Sequence, residues 1–294
     1  MTPMPYLLFL LVFTLSCSPK TFNPPSAEGY RLEIKTLQTR GTQMDYLLAR
    51  REGVVRFKKV LILFPGGDGT CHFGDHHSLC QKRRNYLNGV WVSNNFLARN
   101  ILRFARRGDL VVLVDMPRDV KRIFADGNSK LLASAHRVSE RHLEDIRNLV
   151  FKLKYAFGVE EFYLIGTSRG TLSVAYLTDR IPEVKGSVLT ATLSSDPHFA
   201  EYCRGGDFLK CTGFEGTDKR VLFLHHRLDG CVSSSYSLTR RVFQKIKSKE
   251  KEFITLQEGS EPADNPCSGL TYHGFFGKDR EAVERILSWI HSGG

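Results

Sequence analysis

The chain lacks several features that would settle its class at once. No apolar run among its 294 residues is long enough to cross a bilayer comfortably as a helix. No segment repeats, and no low-complexity tract stands out beyond a short proline-rich stretch near the N-terminus. Composition is otherwise ordinary, which excludes fibrous and disordered chains. Acidic residues are the minority: 31 Asp and Glu stand against 42 Lys and Arg, a net charge of +11. The basic residues fall in small scattered groups (Arg50-Arg51, Lys82-Arg83-Arg84, Arg106-Arg107, Arg240-Arg241, Lys245 to Lys251), and no nucleic-acid-binding motif accompanies them. A nucleic-acid partner is therefore not expected. Solvated helix faces and attraction to an anionic cell surface account for the charge. Zinc-ligand spacing is missing too. Cys71, His72, His76, His77 and Cys80 supply ligand types in no common zinc pattern, so neither metal nor cofactor is expected.

What is present begins with residues 5 to 16, a short uncharged apolar core followed at once by small polar residues. It reads as the hydrophobic region of a signal peptide covering 1–16, so export to the cell envelope is expected. Thr14-Leu15-Ser16-Cys17 resembles the lipobox of bacterial lipoproteins, which implies lipidation of Cys17 and attachment to a membrane; the alternative is a conventionally cleaved secreted protein. Residues 17–29 form an extended tether whose prolines block helix and central strand, leaving 30–294 as one domain. Beyond Cys17 the cysteines number six, an even count suited to an oxidising compartment. Proximity suggests Cys71–Cys80, Cys203–Cys211 and Cys231–Cys267, although six cysteines allow fifteen pairings.

Read in order, Tyr30 to Thr36 and Met44 to Ala49 form an antiparallel edge hairpin turning at Arg40-Gly41. Continuous apolar runs at Val60–Phe64, Leu110–Val114, Phe162–Ile165, Ser187–Leu193, Val221–Leu224 and Phe253–Leu256 suit strands covered on both faces. Helical periodicity covers Asn94 to Arg107, Ala133 to Phe157, the stretch after Gly170, Ser235 to Ser248 and Asp279 to Ile290. Insertions occupy about 70–91 and 194–219. The fold class is α/β, a mostly parallel sheet with helices on both faces and an N-terminal antiparallel hairpin. Ligands in such sheets bind at the carboxyl ends of the strands.

Gly166-Thr167-Ser168-Arg169-Gly170 lies between a strand and a helix, the setting of a G-x-S-x-G nucleophile elbow. Ser168 is the expected nucleophile, and the Arg169 N–H would face a developing oxyanion. A serine nucleophile needs a base, and the base an orienting acid. Asp229 and His273, both beyond strand ends, fill these roles in the chain order Ser, Asp, His. Asp196 is the alternative acid. His225 and His226 line the pocket or are structural, and His198 has no evident partner. The second oxyanion donor is expected from the loop Pro65-Gly66-Gly67-Asp68-Gly69, at the Gly67 N–H or, next to it, that of Asp68. A Cys231–Cys267 bridge would tie the acid loop to the base loop, stabilising the fold by roughly 3–4 kcal/mol.

Pro-Gly-Gly-Asp-Gly (65–69), Gly-Thr-Ser-Arg-Gly-Thr (166–171), His-His-Arg-Leu-Asp-Gly-Cys (225–231) and Tyr-His-Gly-Phe (272–275) together resemble the α/β-hydrolase superfamily over about residues 55 to 291, in particular exported bacterial α/β-hydrolases without an assigned substrate. The resemblance implies the α/β-hydrolase fold and acyl transfer to water through an acyl-enzyme, a serine hydrolase acting on a small-molecule ester or acyl substrate. Carboxylic esters are the expected class, and Arg169 and Arg118 are candidates for favouring a negatively charged one. A peptidase, amidase or acyltransferase on the same residues is the nearest alternative. A lipid-anchored binding protein on a hydrolase fold is the alternative of another class.

Overall fold

The computed structural model describes residues 28–71, 73, 84–87, 90–126, 128–203 and 205–292. The expected signal segment, Cys17, nearly all of the tether, and His72, His76, His77 and Cys80 lie outside them.

Strands β1 (Tyr30–Thr39) and β2 (Thr42–Arg51) pair antiparallel with Thr39 opposite Thr42. Arg40 and Gly41 between them both have positive φ, 45° and 71°, the two-residue turn whose twist suits a hairpin. After β3 (Lys59–Phe64) comes a small separate hairpin, β4 (Arg84–Leu87) and β5 (Val90–Ser93), within the expected 70–91 insertion and just past it. Helices α1 (Phe96–Arg99) and α2 (Ile101–Phe104) lead to β6 (Leu110–Val114). Then follow α3 (Arg118–Arg122), α4 (Ser129–Arg137), α5 (Glu140–Phe157), β7 (Glu161–Thr167), α6 (Gly170–Leu177) and β8 (Val184–Thr190). Short helices α7 (Phe199–Tyr202) and α8 (Phe208–Thr212) precede β9 (Arg220–His226), α9 (Tyr236–Lys245), β10 (Lys251–Leu256) and α10 (Asp279–His291).

Eight strands form one sheet in the order β1-β2-β6-β3-β7-β8-β9-β10. Only the β1–β2 and β2–β6 pairs are antiparallel, so the strands from β6 to β10 present their carboxyl ends along one edge. Side-chain alternation divides the core. Val60, Ile62 and Phe64 face a layer containing Ile146, Leu149 and Leu153 of α5, while Leu61 and Leu63 face one containing Ile101 of α2 and Ile286 and Ile290 of α10.

Two long helical patterns are broken in the structure. Apolar periodicity runs through 133–157, but Ser139 is extended (ψ 156°) and its hydroxyl accepts from the His142 N–H at 3.3 Å, ending α4 and capping α5. Within 94–107, Asn100 separates α1 from α2 and donates to Asp279 at 2.5 Å. Both breaks turn an arginine inward, Arg137 at the end of α4 and Arg99 at the end of α1, each buried.

Cys203 pairs with Cys211 and Cys231 with Cys267, with Cα separations of 5.1 and 4.6 Å. Cys71 departs from the expected pairing. It is a free, buried thiol whose Sγ donates to the Val114 carbonyl at 3.4 Å and whose N–H donates to Asp115 at 2.9 Å. Among the described residues, no helix is long and apolar enough to cross a membrane.

Candidate active site

At the carboxyl end of β7 the chain makes a left-handed step at Ser168 (φ 52°) before entering α6. A non-glycine residue in this region costs backbone energy, and such strain gathers where a side chain must project from a sharp turn. The turn is held by the Ser168 N–H donating to the Thr190 carbonyl at 2.9 Å, and by the N–H and hydroxyl of Thr171 donating to the Ser168 carbonyl. Small residues permit the packing. A Cβ on Gly170 would lie 2.0 Å from the Phe64 carbonyl oxygen, so α6 can press against the end of β3 only with glycine there. Gly66, just past β3, lies close to the serine: a Cβ there would sit 3.0 Å from the Ser168 Cβ. The glycine loop is thus laid against the elbow. Gly67, next in that loop, is exposed, has φ 63° and has nothing within 4 Å of its Cβ position.

Asp229 follows β9 with its side chain fully buried. One carboxylate oxygen accepts the Cys231 N–H at 2.9 Å; the other accepts His273 Nδ1–H at 2.9 Å and lies 3.3 Å from His225 Nε2. Burial alone would push this carboxyl up. The facing His273 and the hydrogen bonds from His225 and His273 outweigh it and hold the group down at about 2. His225 Nε2 also sits 2.8 Å from the Ser234 carbonyl; facing two acceptors, that nitrogen carries the hydrogen. His226 Nε2–H donates elsewhere, to the Glu258 carbonyl at 2.5 Å, and the ring stacks on Tyr272. His198 pairs with Glu201 on an exposed turn.

His273 is itself buried in a short turn, Tyr272–Gly274, where its N–H donates to the Thr271 hydroxyl at 3.2 Å. That hydroxyl donates onward to the carbonyls of Pro266 and Ser268. Arg99 anchors the same loop from behind, donating to the carbonyls of Asn94, Gly269 and Gly274 at 2.6–2.7 Å and to Asp279 at 2.8 Å. The Cys231–Cys267 bond joins this loop to the acid loop.

The other candidates are occupied. Asp196 does not reach His273: it accepts from Arg169, from Tyr202 at 3.0 Å and from the His198 N–H. Arg169, besides this contact, donates to Ser134 at 2.7 Å, and Arg118 pairs with Asp45 and Gln43 beside β2. Both guanidiniums thus already face a carboxylate, which lessens the positive charge they would offer a substrate.

Among the described residues, one cluster offers cation ligands. The ligand atoms of His136, His142 and Asp145 lie within 4.8 Å of one another. Both oxygens of Asp145 already accept from Arg40, at 2.7 and 2.9 Å, and Thr39 adds a third bond. A cation there would share its only carboxylate with a guanidinium, which opposes it electrostatically.

No protein-family model matches the sequence, and no curated protein sequence matches it either. Solved structures do match. Over 87% of this chain and 97% of its own, an alpha-beta serine hydrolase homologue from Coxiella burnetii superposes with a TM-score of 0.51 at 15% identity. The Est2 esterase of the Planctomycetes species Thermogutta terrifontis covers 92% of this chain and 97% of its own, with a TM-score of 0.56 at 14% identity. The fold is that of the α/β-hydrolases. Est1E from Butyrivibrio proteoclasticus is similar to the same extent, with 14% identity, 87% and 98% coverage and a TM-score of 0.51. In this hydrolase fold, sequence reasoning finds the elbow, Asp229 and His273, but misses Arg99, Arg137 and the contact of His225 with Asp229. Arginines on amphipathic helices read as solvated, and only the helix breaks at Asn100 and Val138-Ser139 could have signalled otherwise.

Proposed function

We propose that the protein is a serine hydrolase acting on carboxylic esters through an acyl-enzyme. The observation that carries this reading is the 2.9 Å hydrogen bond from His273 to the buried Asp229, in a fold that sets Ser168 on a strained elbow at the same sheet edge. Asp229 fixes the His273 tautomer, leaving Nε2 bare to act as base. Ser168 Oγ bonds to the carbonyl carbon as its proton passes to His273 Nε2. The carbonyl π electrons move onto oxygen, and the N–H groups of Gly67 and Arg169 receive that charge. Collapse breaks the carbon–oxygen bond to the alcohol, which leaves with the proton from His273. Water then attacks the acyl-enzyme by the same route and frees the acid.

Esters are favoured over amides because the similar structures include named esterases. A fluorophosphonate probe tests the chemistry: the native protein should be labelled and Ser168→Ala should not, with hydrolysis of p-nitrophenyl butyrate falling roughly 10⁴–10⁶-fold. A folded native protein that stays unlabelled would overturn the reading.

The same proposal places the hydrolase at the cell envelope, on the grounds of the apolar core at residues 5–16, the Cys17 sequence and the even cysteine count beyond it. Cells fed an alkyne-tagged fatty acid should label the native protein and not Cys17→Ser. Equal labelling of both would sink the anchor.

A further inference from the structure

Arg137 is the last residue of α4 and is buried, 2% exposed. Among the described residues no carboxylate contacts its guanidinium, although a buried arginine ordinarily has one. Its two bonds go elsewhere. Nη2 donates to the Pro65 carbonyl at 2.8 Å, and Nη1 donates to the Ser173 hydroxyl at 2.7 Å. Pro65 opens the glycine loop after β3; Ser173 lies in α6, one turn beyond the elbow. These are the two segments expected to supply the oxyanion donors, Gly67 N–H from one and Arg169 N–H from the other.

We propose that Arg137 is a positioning residue that clamps the two halves of the oxyanion hole to each other. This rests on the serine-hydrolase reading above and adds to it the part that fixes the hole's width. A guanidinium is suited to the task because it is planar and offers donors in a rigid fork, so two acceptors on different elements are held at one spacing. Room is made by Gly69, where a Cβ would lie 2.4 Å from Arg137 Nη2 and 2.7 Å from the Met116 side chain. The Pro65–Gly66 peptide is polarised by the same contact, and the guanidinium, paired directly with no described carboxylate and offset only in part by the nearby Asp68, brings positive charge close behind the loop that must meet an oxyanion. Burial and then the Arg169 charge lower the Arg137 guanidinium, Asp68 opposes them, and the group is held at about 10, so it stays charged at neutral pH.

A pair of ligands separates positioning from general damage. A phenethyl trifluoromethyl ketone is attacked by the serine and holds a tetrahedral oxyanion; the matching methyl ketone fills the same space without forming that adduct. In Arg137→Met, kcat/KM for p-nitrophenyl butyrate and affinity for the fluoroketone should fall together by roughly 10–100-fold, while affinity for the methyl ketone stays within about twofold. Arg137→Lys, which keeps the charge without the fork, should lie between. If Arg137→Met does not fold, Ser173→Ala should reproduce the pattern at roughly 3–10-fold, since one arm of the clamp is lost. Losses shared equally by the two ketones, or no loss in either, overturn the proposal. If the native protein fails to react with the fluorophosphonate, the hydrolase reading falls and takes this inference with it. A labelled native protein with an unaffected variant overturns the inference alone.

Discussion

Two buried arginines hold the proposed catalytic loops, and they do so under opposite electrostatic conditions. Arg99 pins the loop of His273 from the end of α1, and the Asp279 carboxylate sits 2.8 Å from its Nε. Arg137 pins the glycine loop from the end of α4 with only neutral acceptors among the described residues. A compensated guanidinium is a fastener: its field is cancelled locally, and its worth lies in the carbonyls it ties down. One that meets only neutral acceptors, with the Asp68 carboxylate merely nearby, keeps more of its field, at the expense of a less relieved desolvation penalty. The His273 side of the proposed site is accordingly built for rigidity, and the glycine-loop side for rigidity together with positive potential.

The largest expected effect is on the compensated side. Arg99→Met leaves Asp279 buried without its cation and three backbone carbonyls without a donor, so it should cost about 3–5 kcal/mol in denaturant unfolding. Loss of less than about 1 kcal/mol would mean that Arg99 is not the fastener of the base loop. Arg137→Met should cost less, roughly 1–2 kcal/mol, because two charged hydrogen bonds are lost while the burial of an unpaired cation is relieved. The two variants should therefore rank in one order for stability, while the selective loss of fluoroketone affinity marks only Arg137.

The smallest expected effect is a change of slope with pH. His136 and His142 are lowered first by burial, and His142 also by His136 and Arg137. Folded-state values below the ordinary 6.5 mean that the unfolded chain takes up protons the native state refuses. Their contribution to stability is complete above about pH 6.5 and declines as pH falls, by up to about 1.4 kcal/mol per pH unit for each group. Unfolding titrations between pH 8 and 5 should show this decline flattened in Arg137→Met and unchanged in Arg99→Met. Equal slopes in both variants would show that the Arg137 charge does not reach the histidines. Lower still, Asp229 adds stability that is present above about pH 4 and lost as pH drops through its folded value of about 2.

The frame and the three candidate positions of the proposed site are legible in the residues because each has a local signal. Strands covered on both faces leave apolar runs, a sharp turn between strand and helix leaves flanking glycines, and the acid and base stand just past strand ends. What is not legible depends on what faces what. The 133–157 pattern keeps its apolar spacing straight through Ser139, so nothing in periodicity marks the break that turns Arg137 inward. Arg169 looks like a cation poised at the nucleophile, and only the approach of Asp196 from beyond β8 shows it spent. Cys71 suggests a partner by proximity, yet its thiol is directed at Val114 on a neighbouring strand.

The bond between Cys231 and Cys267 has a consequence for the connectivity of the chain. Asp229 and His273 are 44 positions apart along the backbone, but the bond closes a 36-residue span that carries α9 and β10, and both residues stand just outside it. Followed through the sulfurs, the covalent path from one to the other runs two residues, a bridge and six residues. A single protease cut inside that closed ring therefore opens a loop without producing two molecules. After such a cut Asp229 and His273 remain leashed to each other, and only reduction in addition sets them apart.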